Sequence, residues 1–311
     1  MLQTILTTLV PVASVVMLGY LAGRKSFSVA DRALLTRLVI NWLLPSLLLG
    51  GVLETPRADL LNYKLPLIFL VGLMVPFLSV LLLSRFVLRL DPGTAVLKAG
   101  LLSFPDMVFM GIPILHQLFG PSSLFPILVA NLIPTLIIIP LTSLLLEVGS
   151  QERTHSGSHV FASSPLHSLR QPQVWAPLAG AAMVILNVPI PAFAIDSLHL
   201  MGQPTTGISL FVVGLIVAEE RVRVTPAVAV DSLFKNLLHP AAMLVTVHVF
   251  GVHGVLGREA ILLAAIPSAV MTTMFAQEYN ILTSESSTTV LATRVLSFVT
   301  IPLVIVLTQS W

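Results

Sequence analysis

The sequence predicts an all-α integral membrane protein of ten transmembrane helices, arranged as two inverted five-helix repeats. Three observations lead there: the composition, a series of ten apolar runs, and a correspondence between the two halves of the chain. Of the 311 residues, 56% are hydrophobic and only 10% charged, and the mean hydropathy is +0.97. A soluble domain carries roughly 25% charged residues, so a water-soluble fold is excluded. A helix needs about 20 mostly apolar residues to cross a bilayer, and ten such helices would use nearly the whole chain. No separate soluble domain is expected.

Apolar stretches bounded by charges or turn residues place spans near 4–23, 33–53, 65–88, 96–117, 122–146, 172–189, 196–217, 235–252, 259–277 and 286–308. The sixth and seventh are the least regular, because Pro172, Pro177, Pro189, Pro191 and Pro204 interrupt them, and nine spans is the alternative count. The first run lacks a basic leader and is too long for a signal-peptide core, so it is expected to be retained. With ten spans both termini lie on one side. Connections 1–2, 3–4, 5–6 and 7–8 hold Arg24, Lys25, Arg32, Arg89, Arg153, Arg170, Arg221 and Arg223, against chiefly Arg57, Lys64 and Arg258 on the other side. The positive-inside rule then puts both termini outside the cytoplasm.

The longest connection, 147–171, is rich in Ser and His and reads as a flexible cytoplasmic loop between a first repeat, 1–146, and a second, 172–311. Shifting one half by about 163 residues brings Pro76 onto Pro240, Gly51 onto Gly214, Pro105 onto Pro267 and Ile139-Pro140-Leu141 onto Ile301-Pro302-Leu303. A repeat of five spans, an odd number, must insert its second copy upside down. Inverted repeats are characteristic of secondary transporters, whose substrate sites lie where discontinuous helices of the two copies meet.

The candidate site follows from where helices cannot be continuous. The fourth span holds Ser103-Phe104-Pro105-Asp106-Met107 and then Gly111-Ile112-Pro113; the ninth holds Ile266-Pro267-Ser268-Ala269. Proline in mid-membrane frees backbone groups that only protein or water can satisfy, so both spans should be broken there. Half-helix N-termini favour an anionic ligand; packing kinks are the plainer reading. Asp106 stands at the first break, where an ionised carboxylate on an isolated helix costs at least about 2.5–3.5 kcal/mol. Its alternatives are a ligand or ion-coupling role and a cap for the half-helix. Arg294, in the tenth span, could pair with Asp106, bind a substrate carboxylate or hold buried carbonyls. Asn41 before Pro45 and Asn131 before Pro134 could line a cavity or bond across helices. His116, His239 and His248 read as packing residues, Arg85, Arg89, Lys98 and Lys235 as flank residues reaching the interface, and Gly19 to Gly23 as a small-residue helix contact.

Other chemistry is disfavoured. The absence of cysteine removes disulfides, thiolate metal sites and iron–sulfur clusters, and no metal or cofactor is expected. A net charge of +2 with scattered Lys and Arg does not fit a nucleic-acid binder. No HExxH, GxSxG or phosphate-binding glycine loop occurs, which argues against an enzyme. A membrane receptor and an anion channel are the competing classes.

The stretch Pro105-Asp106-Met-Val-Phe-Met-Gly111-Ile-Pro113-Ile-Leu resembles the fourth-span crossover of the auxin efflux carrier family, which includes plant PIN-FORMED carriers and bacterial malonate-type transporters. Pro267 through Phe275-Ala-Gln-Glu278-Tyr-Asn280 resembles the ninth-span crossover of the same family. The resemblance implies an elevator-type carrier: spans 1, 2, 6 and 7 as a scaffold, spans 3–5 and 8–10 as a mobile transport domain, and crossed, broken helices 4 and 9 holding the substrate. It also implies a scaffold-mediated homodimer and a small organic anion, a mono- or dicarboxylate, as substrate, with a proton or Na+ as candidate coupling ion. Taken with the polar residues of the spans, the candidate substrate-binding set is Pro105, Asp106, Met107, Gly111, Pro267, Ser268, Ala269, Asn41, Asn131 and Arg294, with Asp106 and Arg294 as candidate ion-coupling residues. The plant carriers commonly have asparagine where this chain has Asp106, so auxin does not transfer directly as substrate. The brief loops suit a bacterial inner membrane.

Overall fold

Prolines shape this fold as much as apolar runs do. The computed structural model describes residues 2–149, 170–219 and 225–309; the predicted loop falls largely outside them, as do Arg153, Arg221 and Arg223. The described residues are helical, without a strand; an isolated bridge joins Pro105 and Ser268. In chain order the principal helices are α1 (Leu2–Lys25), α2 (Val29–Leu53), α3 (Lys64–Val87), α4 (Pro92–Ser103), α5 (Met107–Phe119), α6 (Pro121–Leu146), α7 (Pro172–Ile185), α8 (Ala192–Glu219), α9 (residues 226–249), α10 (Gly254–Ala265), α11 (Met271–Glu278) and α12 (Thr283–Leu307). Five of these, α2, α3, α6, α8 and α12, are long and apolar enough to cross a membrane alone, and α5 and α7 are shorter apolar helices.

Four π-helical turns share one cause. Val39–Leu43, Met107–Gly111, Pro134–Ile138 and Phe234–Leu238 are each followed two residues later by proline: Pro45, Pro113, Pro140 and Pro240. Proline lacks an N–H and its ring crowds the carbonyl four residues back, so the chain widens by one residue per turn there. Asn41 and Asn236 stand four residues before Pro45 and Pro240, inside such widened turns.

Caps set where helices begin. In α2, Asp31 N donates to Ser28 Oγ at 3.3 Å and Ser28 N donates to Asp31 Oδ2 at 2.8 Å, a reciprocal capping box. In α4, Asp91 Oδ1 accepts from Thr94 N at 3.0 Å, with Pro92 opening the helix. Helix α9 starts at Pro226, behind the Thr225 cap, and not at 235 as hydropathy suggests. Asp231 and Lys235 depress the hydropathy of its first turns, yet both are buried in protein.

By contacts the chain forms two compact units: Met1–Pro66, Met107–Val129 and Leu169–Glu220 make the first, and Leu67–Asp106, Ala130–Ser168 and Arg221–Trp311 the second. The chain passes between them at the end of the fourth span's break, after Asp106. In the first unit α1 lies against α8 at backbone distance, because Gly19 meets the Phe211 carbonyl and Gly214 meets the Val16 carbonyl with no room for a Cβ. At Gly23 the neighbour is a side chain, the Ala218 methyl. Without a hydrophobic drive between helices in lipid, such approach supplies the packing. In the second unit Phe69, Phe77, Leu97, Leu101 and Phe275 fill the core.

This contact predicts the response to a single methyl group. Gly19→Ala should lower stability by about 1–3 kcal/mol, because a backbone must shift to admit the methyl. Gly207→Ala, on α8 where nothing lies within 4 Å of a new Cβ, should change it by no more than about 0.5 kcal/mol. Thermal unfolding of the two variants in detergent checks the difference.

Candidate functional site

Helix α4 stops at Ser103 because Phe104 turns extended, at φ −106° and ψ 99°, and the next residue is proline. Helix α10 stops at Ala265 in the same way, with Ile266 extended at φ −61° and ψ 138° before Pro267. The two interruptions, both in the second unit, pair through that isolated antiparallel bridge: Ala269 N donates to Phe104 O at 2.9 Å and Asp106 N donates to Pro267 O at 2.8 Å. Each break thereby satisfies backbone groups that the other leaves free, which is the condition for irregular backbone inside a membrane.

Side chains hold the pair in place. Ser268 Oγ donates to Leu101 O at 2.6 Å, and Ser268 N donates to Thr293 Oγ1 of α12 at 3.3 Å. Asn236, in the widened turn of α9, donates through Nδ2 to Thr293 O at 2.9 Å and to Thr300 Oγ1 at 3.2 Å. Lys235 Nζ donates to Ala264 O at 2.9 Å, capping the carbonyl end of α10, and lies 2.7 Å from His239 Nδ1. Lys235 and His239 are fully buried. Lys235 therefore does not reach toward the interface, contrary to its reading as a flank residue, and Lys98 on α4 likewise turns inward to Asp231 and Glu285.

The charge at depth is an ion pair. Arg294 Nη2 donates to Asp106 Oδ2 at 2.7 Å, with the two side chains 3% and 5% exposed. Of the three roles open to Arg294, the structure places it on Asp106. The guanidinium is not fully used, because among the described residues its buried Nε has no hydrogen-bond partner. An unmade buried hydrogen bond costs about 1–3 kcal/mol, and a planar guanidinium with a spare N–H is suited to a second carboxylate.

The structure thus brings together Pro105, Asp106, Pro267, Ser268, Ala269 and Arg294. Asn131 is buried in α6 of the same unit, where its backbone carbonyl accepts from Thr135 Oγ1 at 2.7 Å. Met107 and Gly111 belong to the first unit, in the opening turn of α5, and Asn41 is exposed in the π-turn of α2. Sequence reasoning passed over Lys235, Asn236 and Thr293 as site residues. A signal existed: Asp231, Lys235 and His239 recur every four residues, one polar face on an otherwise apolar helix.

The family described as membrane transport protein matches residues 4–305, nearly the whole chain. The chain belongs to this family, that of the auxin efflux carriers. It is similar to the uncharacterized transporter YfdV of Escherichia coli strain K12, 27% identical over 306 residues that cover 96% of each chain. It is also similar to auxin efflux carrier component 1 of Arabidopsis thaliana, 28% identical over 125 residues covering 36% of this chain and 19% of that one. The probable auxin efflux carrier component 5a of Oryza sativa subsp. japonica is 29% identical over 129 residues, 39% of this chain and 36% of its own. Membership in a family of transporters agrees with a membrane protein of apolar helices and gives no support to catalysis.

Removing one partner of a buried pair strands the other charge, at about 3–5 kcal/mol. Arg294→Ala should therefore destabilise the protein by that amount, and Arg294→Ala combined with Asp106→Ala should recover more than half of it. A double-mutant cycle on unfolding in detergent measures the coupling.

Proposed function

We propose that this protein is a secondary carrier for a small organic anion, a mono- or dicarboxylate, in the plasma membrane of a bacterium. The supporting observation is the ion pair of Asp106 and Arg294, set at the meeting of two interrupted helices in a member of a transporter family. On this reading the chain crosses the bilayer ten times as two inverted repeats with both termini outside the cytoplasm, works by an elevator movement, and assembles as a homodimer.

Arg294 is the anion receptor. A substrate carboxylate takes up its unused Nε–H and competes with Asp106 for the rest of the fork. A proton on Asp106 removes that competition and leaves Arg294 to the substrate, which couples proton binding to anion binding; Na+ is the alternative coupling ion. Direction follows from charge. An inside-negative potential of about 100 mV drives each negative charge outward by roughly 2.3 kcal/mol, so a dianion leaves uncoupled, whereas uptake requires accompanying cations.

The test uses purified protein in proteoliposomes with radiolabelled malonate and acetate. A carrier gives saturable uptake that internal substrate accelerates, whereas a channel gives neither and a receptor gives binding without flux. Arg294→Lys keeps the charge and loses the fork, and should raise KM for the transported anion at least about tenfold, the effect of losing about 1.4 kcal/mol of binding. Asp106→Asn should flatten the dependence of KM on pH. An unchanged KM in Arg294→Lys would remove Arg294 from the binding site.

A further inference from the structure

Lys98, Asp231 and Glu285 form a charged cluster that the crossover does not use. They come from three segments of the second unit: α4, the first turns of α9, and the first turn of α12. Lys98 Nζ lies 3.0 Å from Asp231 Oδ2 and 3.4 Å from Glu285 Oε1, and the hydrogen bond goes to Glu285. The contact with Asp231 is close but off the hydrogen-bonding direction, so Asp231 Oδ2, on a side chain 4% exposed, faces the ammonium without a hydrogen-bond partner among the described residues. Fully ionised, the cluster holds one positive and two negative charges.

A net charge in a partly buried cluster, whose Lys98, Asp231 and Glu285 side chains are 13%, 4% and 25% exposed, is costly, and two carboxylates sharing a site do not both stay ionised without sufficient compensation. Arg85 and Asp91 flank α4, Lys235 follows on α9, Arg294 stands further along α12, Arg258 and Glu259 lie on α10, and Glu278 lies on α11. Of these side chains, Lys235 and Arg294 have been placed, on Ala264 O and on Asp106. One more positive charge balances the cluster. A metal ion would require several oxygen ligands, and the ammonium already stands between the two carboxylates. A proton needs only a carboxylate oxygen that no donor points at, and Asp231 Oδ2, ion-paired with Lys98 but without a hydrogen bond among the described residues, is one.

We propose that Lys98, Asp231 and Glu285 are a second proton-binding site, separate from the pair of Asp106 and Arg294. The proton is held by the carboxylate pair, of which the single Lys98 ammonium offsets one negative charge. The site is positioned to act on the crossover. Lys98 lies five residues before Ser103 on α4, about 7.5 Å along the axis, and Glu285 lies nine residues before Arg294 on α12, about 13.5 Å. Loss of the proton weakens the ties of α9 and α12 to α4 by leaving two anions to share one cation. A coupling role rests on the carrier reading of the previous subsection; the proton site does not.

Infrared difference spectroscopy of the purified protein tests the site itself. In an Asp106→Asn, Glu259→Gln background, which removes the crossover carboxylate and the other buried carboxylate with an unpartnered oxygen among the described residues, the band of a buried carboxylic acid should remain, and adding either Asp231→Asn or Glu285→Gln should abolish it. Each of these near-isosteric changes leaves one carboxylate paired with Lys98, and a single peak in gel filtration identifies the folded variants. Absence of the band from that background, or its survival after either further substitution, overturns the proposal. Proteoliposomes carrying a pH dye then read coupling: the proton flux that accompanies malonate uptake should fall at least about twofold in Asp231→Asn. Failure of wild-type malonate uptake would count against the substrate reading and leave the infrared result to decide the site.

Discussion

The pairing of two broken helices across a few backbone hydrogen bonds is the constraint on which the second unit rests. Each of Pro105 and Pro267 removes an N–H from a helix within apolar surroundings, and neither break could be tolerated alone. Ala269 N to Phe104 O and Asp106 N to Pro267 O satisfy them mutually, so α4 and α10 can stop only because each stops beside the other. Ser268, Thr293 and Asn236 then fasten the pair to α4, α12 and α9. The surrounding polar residues are best understood as the requirements of exposed backbone, before any ligand is considered.

That constraint also explains where the charges sit. Lys235 caps the Ala264 carbonyl in the last turn of α10, as a cation at a helix C-terminus should. Asp106, fixed at the interrupted end of the fourth span, must be neutralised, and Arg294 does so from α12. A buried pair of this kind is weak evidence of stability, since apolar replacements often serve as well.

The places where the sequence misled are physically related. Hydropathy started the eighth span at 235 because Asp231 and Lys235 look like residues that end a membrane helix, and it assigned Lys98 and Lys235 to the interface for the same reason. A hydropathy window scores each side chain against lipid. It cannot register that a partner such as Glu285, far along the chain, will enclose Lys98 in protein. The close contact of α1 with α8 was only weakly legible, because glycine is common in membrane helices and its role depends on a neighbour's backbone, here the Phe211 carbonyl.

By itself the sequence determined what is local: apolar runs that must be helical in lipid, prolines that must interrupt them, and the depth of Asp106 and Arg294. Those follow from backbone hydrogen bonding and from the cost of charge in hydrocarbon, which act residue by residue. Only the tertiary structure decided which groups compensate one another: Arg294 with Asp106, Lys235 with Ala264, and Lys98 with Asp231 and Glu285. Such pairing depends on distances of a few ångströms between segments up to 188 residues apart, and no spacing along the chain encodes it.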